Sequence, residues 1–363
     1  MAISFKHRFK NDTLVGLGTY KFRHYSVSNP VPQLVYYGTV TPLSVARYEL
    51  VATSVGNYAL FASGTAKNGS TNTVDAYNES LTRTIPSTLS NFRNNLAATT
   101  IGNYALFGGG VSGSSTFGTV DTYDTSLTRT ISAELSVARY YLSATNVGSY
   151  ALFGGGRKWS NMSVTRYNTV DAYDRSLTRT NPTALSVARL NLSATSVGNY
   201  ALFGGGNSSN TANSSAVDAY DTSLTRTIPT ALSQSRAYLA ATSVGNYALF
   251  GGGSGYSNVV DAYDTSLTRT IPTELSQSKA YLSATSVGNY ALFGGGVYST
   301  GPSSVASSSI VDAYDKNLTR TIPTALSVAR RDLAATTIGN YALFGGGNGP
   351  DSYSSVVDVY TVQ

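Results

Sequence analysis

The segment Asn199–Gly206, NYALFGGG, occurs in nearly the same letters six times along the chain. The phenylalanine that opens each glycine run falls at Phe61, Phe107, Phe153, Phe203, Phe250, Phe293 and Phe344. The spacings between them are 46, 46, 50, 47, 43 and 51 residues. The first copy is degenerate, with Ala62-Ser63-Gly64 in place of three glycines. A fixed period of this length constrains the fold more than any other feature, because each unit must be one supersecondary block that buries its apolar faces against its neighbours. Within a unit, turn residues separate four short segments, as in Tyr238–Val244, Asn246–Gly253, Val259–Tyr263 and Leu267–Pro272. Their length and their Val, Tyr, Thr, Leu and Phe content are those of strands, and no amphipathic run long enough for a helical pair occurs. Four strands in 40 to 50 residues is the plan of a propeller blade. The predicted fold is therefore all-β, a seven-bladed β-propeller with four antiparallel strands per blade.

The ends of the chain predict how the ring closes. The last unit stops at Val357-Asp358-Val359-Tyr360, after its third strand, while Leu34–Ser44 (LVYYGTVTPLS) stands in the fourth-strand register with no first three before it. Counting ten residues back from Arg47, as Arg226 lies ten before Arg236, sets Tyr37 at the position of the fourth-strand arginine. Pairing Leu34–Thr41 with Val356–Tyr360 closes the ring and removes two exposed edges. The predicted organisation is a basic, partly apolar arm, residues 1–32, followed by the propeller, residues 33–363.

Repetition inside one chain separates scaffold from decoration. Asp75, Asp121, Asp171, Asp218, Asp261, Asp312 and Asp358 recur in the third strand, and Arg83, Arg129, Arg179, Arg226, Arg269 and Arg320 in the fourth. Adjacent strands pair them in this reading, as surface ion pairs worth at most about 1 kcal/mol each. The glycine run, the third-strand tyrosine (Gly204-Gly205, then Val217-Asp218-Ala219-Tyr220-Asp221) and Ser235-Arg236 before the next first strand resemble the kelch repeat, over residues 34–363. The family's fourth-strand tryptophan is absent, and LTRT (Leu224–Thr227) occupies that segment. The blade-to-blade packing made by that tryptophan is thus not implied.

Composition narrows the function. With 41% hydrophobic and 12% charged residues the chain can bury a large core. No run of about eighteen apolar residues is visible, so no membrane insertion is expected, and no secretory leader is visible; the absence of cysteine fits a reducing cytosol or a bacterial or viral surface alike, which leaves the compartment open. Of the net charge of +6, the arm supplies +4, from Lys6, Arg8, Lys10, Lys21 and Arg23 against Asp12. The body is close to neutral, which argues against a nucleic-acid partner. There is no cysteine, and the two histidines, His7 and His24, lie in the arm. No imidazole base, thiolate or histidine metal cluster is available to the body, and no Lys-Ser or Lys-Thr follows a glycine run to hold a phosphate. Galactose-oxidase-like propellers need histidines and a cysteine-linked tyrosine that the body lacks, and the Ser-x-Asp-x-Gly-x-Thr-Trp box of sialidase-like propellers does not occur although Arg and Tyr are abundant, so an enzyme of either kind is the least favoured reading. The expectation is a protein that is not an enzyme and needs no metal or cofactor.

Two places change from unit to unit: the loop after the glycines, such as Arg157–Thr169, and the pair after the arginine that precedes each first strand. In an up-and-down blade both lie on one face of the ring, which is where binding residues concentrate on a rigid scaffold. The pairs offer Tyr48, Tyr140, Tyr141, Tyr238 and Tyr281 with Asn94, Asn95, Asn191, Glu49 and Asp332, beside a basic series, Arg47, Arg93, Arg139, Arg189, Arg236, Lys279 and Arg330. Arg157 and Trp159, the only tryptophan, add an anchor of the kind found at interface hot spots. This set is the expected binding surface, suited to a sugar or an acidic peptide. Units this uniform resemble the kelch arrays of bacteriophage and prophage tail or surface proteins. That resemblance implies a virion location, docking on virion subunits through residues 1–32, and a host-surface glycan or protein receptor. The alternative is a purely structural assembly subunit.

Overall fold

A computed structural model describes residues 32–160, 162–350 and 352–363. The arm expected over residues 1–32 falls, but for Pro32, outside the described residues, and the propeller forms one compact unit, Gln33–Gln363. All regular structure among the described residues is β.

Seven four-stranded antiparallel sheets form the ring. Blade 4 is representative: Ser193–Val197, Tyr200–Gly204, Val217–Asp221 and Arg226–Thr227, each hydrogen-bonded to the next. The first strand of every blade lies beside that of its neighbours around the axis. Because both faces of a blade are covered, the second and third strands are buried continuously rather than in alternation, and the second reads as an apolar run. The last four residues of Tyr200–Gly204 and the first four of Val217–Asp221 are buried. Each gap between blades is a separate apolar layer. Between blades 4 and 5, for example, Leu202, Val217 and Ala219 meet Ala248, Phe250 and Tyr263.

The glycines fit this packing. A methyl group on Gly251 would sit 2.8 Å from Cε1 of Phe293 in the next blade, too close to be accommodated without movement. Gly252 and Gly253 follow at φ of +70° and +123°, which side chains avoid. Phenylalanine on glycine thus makes the interblade contact for which no tryptophan is present. Each phenylalanine is met edge-on by the third-strand tyrosine of its own blade, as in Phe250 and Tyr263 at 6.0 Å and 89°. The tyrosine hydroxyl then donates to a backbone carbonyl in the link between blades, Tyr263 to Thr230 at 2.8 Å.

Ring closure follows the expectation with a one-residue difference. Leu34–Val40 pairs with Val357–Val362 as the fourth strand of blade 7. A bulge at Tyr37 shifts the register, so Tyr36, not Tyr37, faces Tyr360, the place held by Arg226 opposite Tyr220 in blade 4. The outer strands are shorter than the sequence segments that contain them. Leu267 lies at φ of 63° in the preceding turn and Pro272 has no N–H, leaving only Arg269–Thr270. In blade 2, Ser132 stands where blades 1 and 3 to 6 have proline, and the strand runs on through Arg129–Ser132.

Candidate functional site

The third-strand aspartates are fully buried and do more than pair with the adjacent strand. Each meets the basic residue that precedes the first strand of its own blade. Arg47–Asp75, Arg93–Asp121, Arg139–Asp171, Arg189–Asp218 and Arg330–Asp358 lie at 2.5–2.8 Å, Arg236 also contacts Asp261, and Lys279 is 3.4 Å from Asp312. The other carboxylate oxygen takes the N–H of a serine three residues before that basic group, such as Ser44 to Asp75 at 2.9 Å. It also takes the fourth-strand arginine at 2.9–3.8 Å. In blade 7 the Tyr36 hydroxyl replaces that arginine, donating to Asp358 at 2.6 Å. The basic heads also tie down the second strand, Arg189 Nη2 donating to the Phe203 carbonyl at 3.0 Å.

Two expectations are corrected by this arrangement. The aspartates do meet the fourth-strand arginines, whose side chains stay 23–28% exposed, but each has a second basic partner that is fully buried, and removing one member of that buried pair strands a charge, at about 3–5 kcal/mol. The series Arg47, Arg93, Arg139, Arg189, Arg236, Lys279 and Arg330 does not stand on the binding face. All seven side chains are fully buried, and their charges are met inside the blades. Desolvation pulls the Lys279 ammonium down to about 8, opposed by Asp312.

The face itself is organised by the second residue of each variable pair. Glu49, Asn95, Tyr141, Asn191, Tyr238, Tyr281 and Asp332 all adopt left-handed backbone, φ between 52° and 56°. Their N–H groups each donate to the carbonyl of the equivalent residue in the preceding blade: Asn95 to Glu49, Tyr141 to Asn95, Asn191 to Tyr141, Tyr238 to Asn191, Tyr281 to Tyr238, Asp332 to Tyr281 and Glu49 to Asp332. These hydrogen bonds, 2.9–3.5 Å long, close a seven-membered backbone ring around the axis. The first residue of the pair is bridged to the residue after the glycines in six blades, as in Tyr140 with Arg157, so the two variable sets are joined.

This ring frames a cavity of about 570 Å³. Its lining comprises all seven ring residues, with Tyr48, Arg331 and Asn348, above a floor of Leu50, Leu96, Leu142, Leu192, Leu239, Leu282 and Leu333. Tyr238 and Tyr281 stack at 4.3 Å with 29° between their planes. Glu49 accepts a hydrogen bond from Thr65 at 3.2 Å, and burial raises its pKa. Burial, and next to it the charge of Glu49, push Asp332 up to about 7 against the pull of Arg331. Burial likewise pushes the Tyr141 hydroxyl up to about 12.

Of the expected residues, the structure brings Tyr48, Tyr141, Asn191, Tyr238 and Tyr281 together at the cavity. Asn94 and Tyr140, first in their pairs, are turned to the loops: Asn94 donates to Thr65 at 2.7 Å, and Tyr140 is buried beside Arg157. Arg157 lies 4.9 Å from the rings of both Tyr140 and Tyr141. Trp159 is on a separate hairpin, Arg157–Ser160 with Ser163–Arg166, and is half exposed. Glu49, Asn95, Asp332 and Arg331, further members of the variable pairs, line the same cavity, and Asn348, which opens a variable loop, joins them. The signal for them was already in the sequence.

Comparison with known proteins adds the fold and no more. No protein-family model matches the chain, and no curated protein matches it. Many solved structures do. One, titled "Structure of YjhT", aligns with a TM-score of 0.58 at 14% identity, over 77% of this chain and 99% of that one. The likeness is one of architecture. No helix among the described residues is long and apolar enough to cross a membrane.

Proposed function

We propose that this protein is a non-catalytic binding module of kelch type that holds a host-surface glycan or receptor at its axial cavity. In this reading it sits on a virion, a phage tail or surface, docked through residues 1–32. One observation carries the binding assignment: the seven residues that share one backbone geometry at the cavity mouth differ in chemistry, while the layers that support them repeat almost unchanged. A scaffold that holds seven positions fixed and changes only their side chains is suited to recognition. The stacked tyrosines offer the faces against which a pyranose packs, and the amides and carboxylates offer hydrogen-bond partners.

Glycan-array binding by the full chain tests it, compared with Tyr141→Asn, Tyr238→Asn and Tyr281→Asn together. Asparagine is the suitable truncation because it tolerates the left-handed backbone and already occupies two ring positions. Loss of binding at an unchanged melting temperature supports the cavity. Binding that survives the three changes and disappears with Trp159→Ala moves recognition to the hairpin of blade 3. That second reading, an assembly subunit gripping its neighbours, has its own observation: Trp159 and Met162 are 52% and 93% exposed on one hairpin.

A further inference from the structure

We propose that the axial cavity selects a positively charged ligand, which the glycan reading specifies as a sugar carrying a free, unacetylated amine. The inference rests on the binding assignment above. The site is the cavity, and its charged lining decides the sign of what enters.

The face loses its expected basic character because all seven members of the basic series are buried and matched to aspartates. The ionisable residues left in the lining are Glu49, Asp332 and Arg331, formally −1 − 1 + 1 = −1 with both carboxylates ionised, the state that a bound cation favours. Arg331 only partly offsets its neighbour, its Nε standing 3.7 Å from Asp332 Oδ2 with the side chain 38% exposed. Arg157 is near but outside the lining, its guanidinium placed over Tyr140 and Tyr141. Glu49 and Asp332 hold adjacent positions in the backbone ring, joined by the N–H of Glu49 on the carbonyl of Asp332 at 3.0 Å. Partly desolvated carboxylates on neighbouring ring residues repel one another, and a cation between them relieves both.

The aromatic side of the cavity points the same way. Tyr238 and Tyr281 line the cavity with rings whose negative faces attract an ammonium group, and the attraction grows as water is excluded. An anion meets the reverse on both counts. The chain as a whole carries +6, so its overall field does not collect cations, and selection for one must come from the cavity itself.

Calorimetric titration of the full chain at pH 6.5 with three tetrasaccharides tests the inference: glucosamine tetramer, its fully N-acetylated counterpart and tetragalacturonate. The expected result is that the free-amine tetramer binds at least about tenfold more tightly than the acetylated one, and that the acid binds least. The double variant Glu49→Gln, Asp332→Asn keeps the shape and should abolish the preference without lowering the melting temperature. Equal or tighter binding of the acetylated or acidic tetramer overturns the inference, as does a preference that survives the double variant. Absence of any binding by the free-amine tetramer overturns it too. The broader assignment is judged separately, because any other glycan lost on the three tyrosine substitutions leaves the cavity a binding site with a different charge preference.

Discussion

At the scale of single residues, two buried charges have opposite consequences for stability. Lys279 is the one ammonium in a series of guanidiniums, and it reaches the Phe293 and Ile310 carbonyls at 3.5 and 2.9 Å. Arg236, its counterpart in blade 5, donates to Gly252 and Phe250 at 3.0 and 3.1 Å as well as to Asp261. Lys279→Arg should therefore raise stability at pH 7 by about 1 kcal/mol, read as a higher melting temperature. The lysine pKa falls from 10.5 to about 8 in the fold, so the unfolded chain holds more protons between those values. Wild-type stability should then rise with pH through that window, a slope that denaturant titrations would find missing from the arginine variant. Asp332 is the inverse case: its pKa rises from 3.8 to about 7, so the native state holds the extra proton and stability falls as pH climbs between them. Asp332→Asn should melt like wild type at pH 3 and be more stable at pH 8, by on the order of 1–2 kcal/mol after allowing for its partial exposure. A cavity mouth that is more stable without its carboxylate is what a binding site looks like when selection acts on the ligand. The sequence showed these residues as letters but not their surroundings. An arginine that varies little from blade to blade reads equally as a displayed ring or as a buried strut. The deciding pattern, serine three residues before the basic group and aspartate in the third strand, is plain only once the fold brings them together.

At the scale of elements, the blade was legible because its rules are local. The period, the strand lengths and the glycine stops all follow from nearby letters, and the strands stand where those letters set them. What nearby letters do not give is the partner in the interblade contact, which joins residues over forty positions apart. Gly251→Ala isolates it, since Gly251 is the one glycine of its run without a positive φ, and the three atoms nearest the added methyl all belong to Phe293. The expected loss is about 1–3 kcal/mol, partly recovered by Phe293→Leu, with denaturation midpoints as the measurement. Recovery by the second change distinguishes a steric clash from a backbone effect. Blade 1 has Ala62 at the equivalent place, buried in the layer with Phe107, so that boundary has already adapted to a methyl group. The outer strands show how local letters limit an edge: a proline after the arginine strand leaves two residues to pair, and its absence in blade 2 leaves four.

For the whole molecule, closure rests on a strand taken from the far end of the chain. Gln33 and Gln363 exchange backbone hydrogen bonds at 2.7 and 3.0 Å, and Tyr36 completes the partners of Asp358. Removing residues 1–31 should leave the melting temperature unchanged. Removing 1–40 should lower it sharply and broaden the transition, because blade 7 loses its fourth strand and exposes an edge. Equal melting of the two truncations would mean the closing strand is dispensable. The seven-membered backbone ring at the mouth has a consequence of another kind. Its hydrogen bonds use only main-chain atoms, so the positions of the seven side chains do not depend on which side chains they are. Asn, Tyr, Glu and Asp already share the same geometry there. The mouth is thus a set of interchangeable sockets, limited mainly by what a left-handed residue can be, and a lineage built on this frame can change what it recognises one letter at a time without rebuilding the blades.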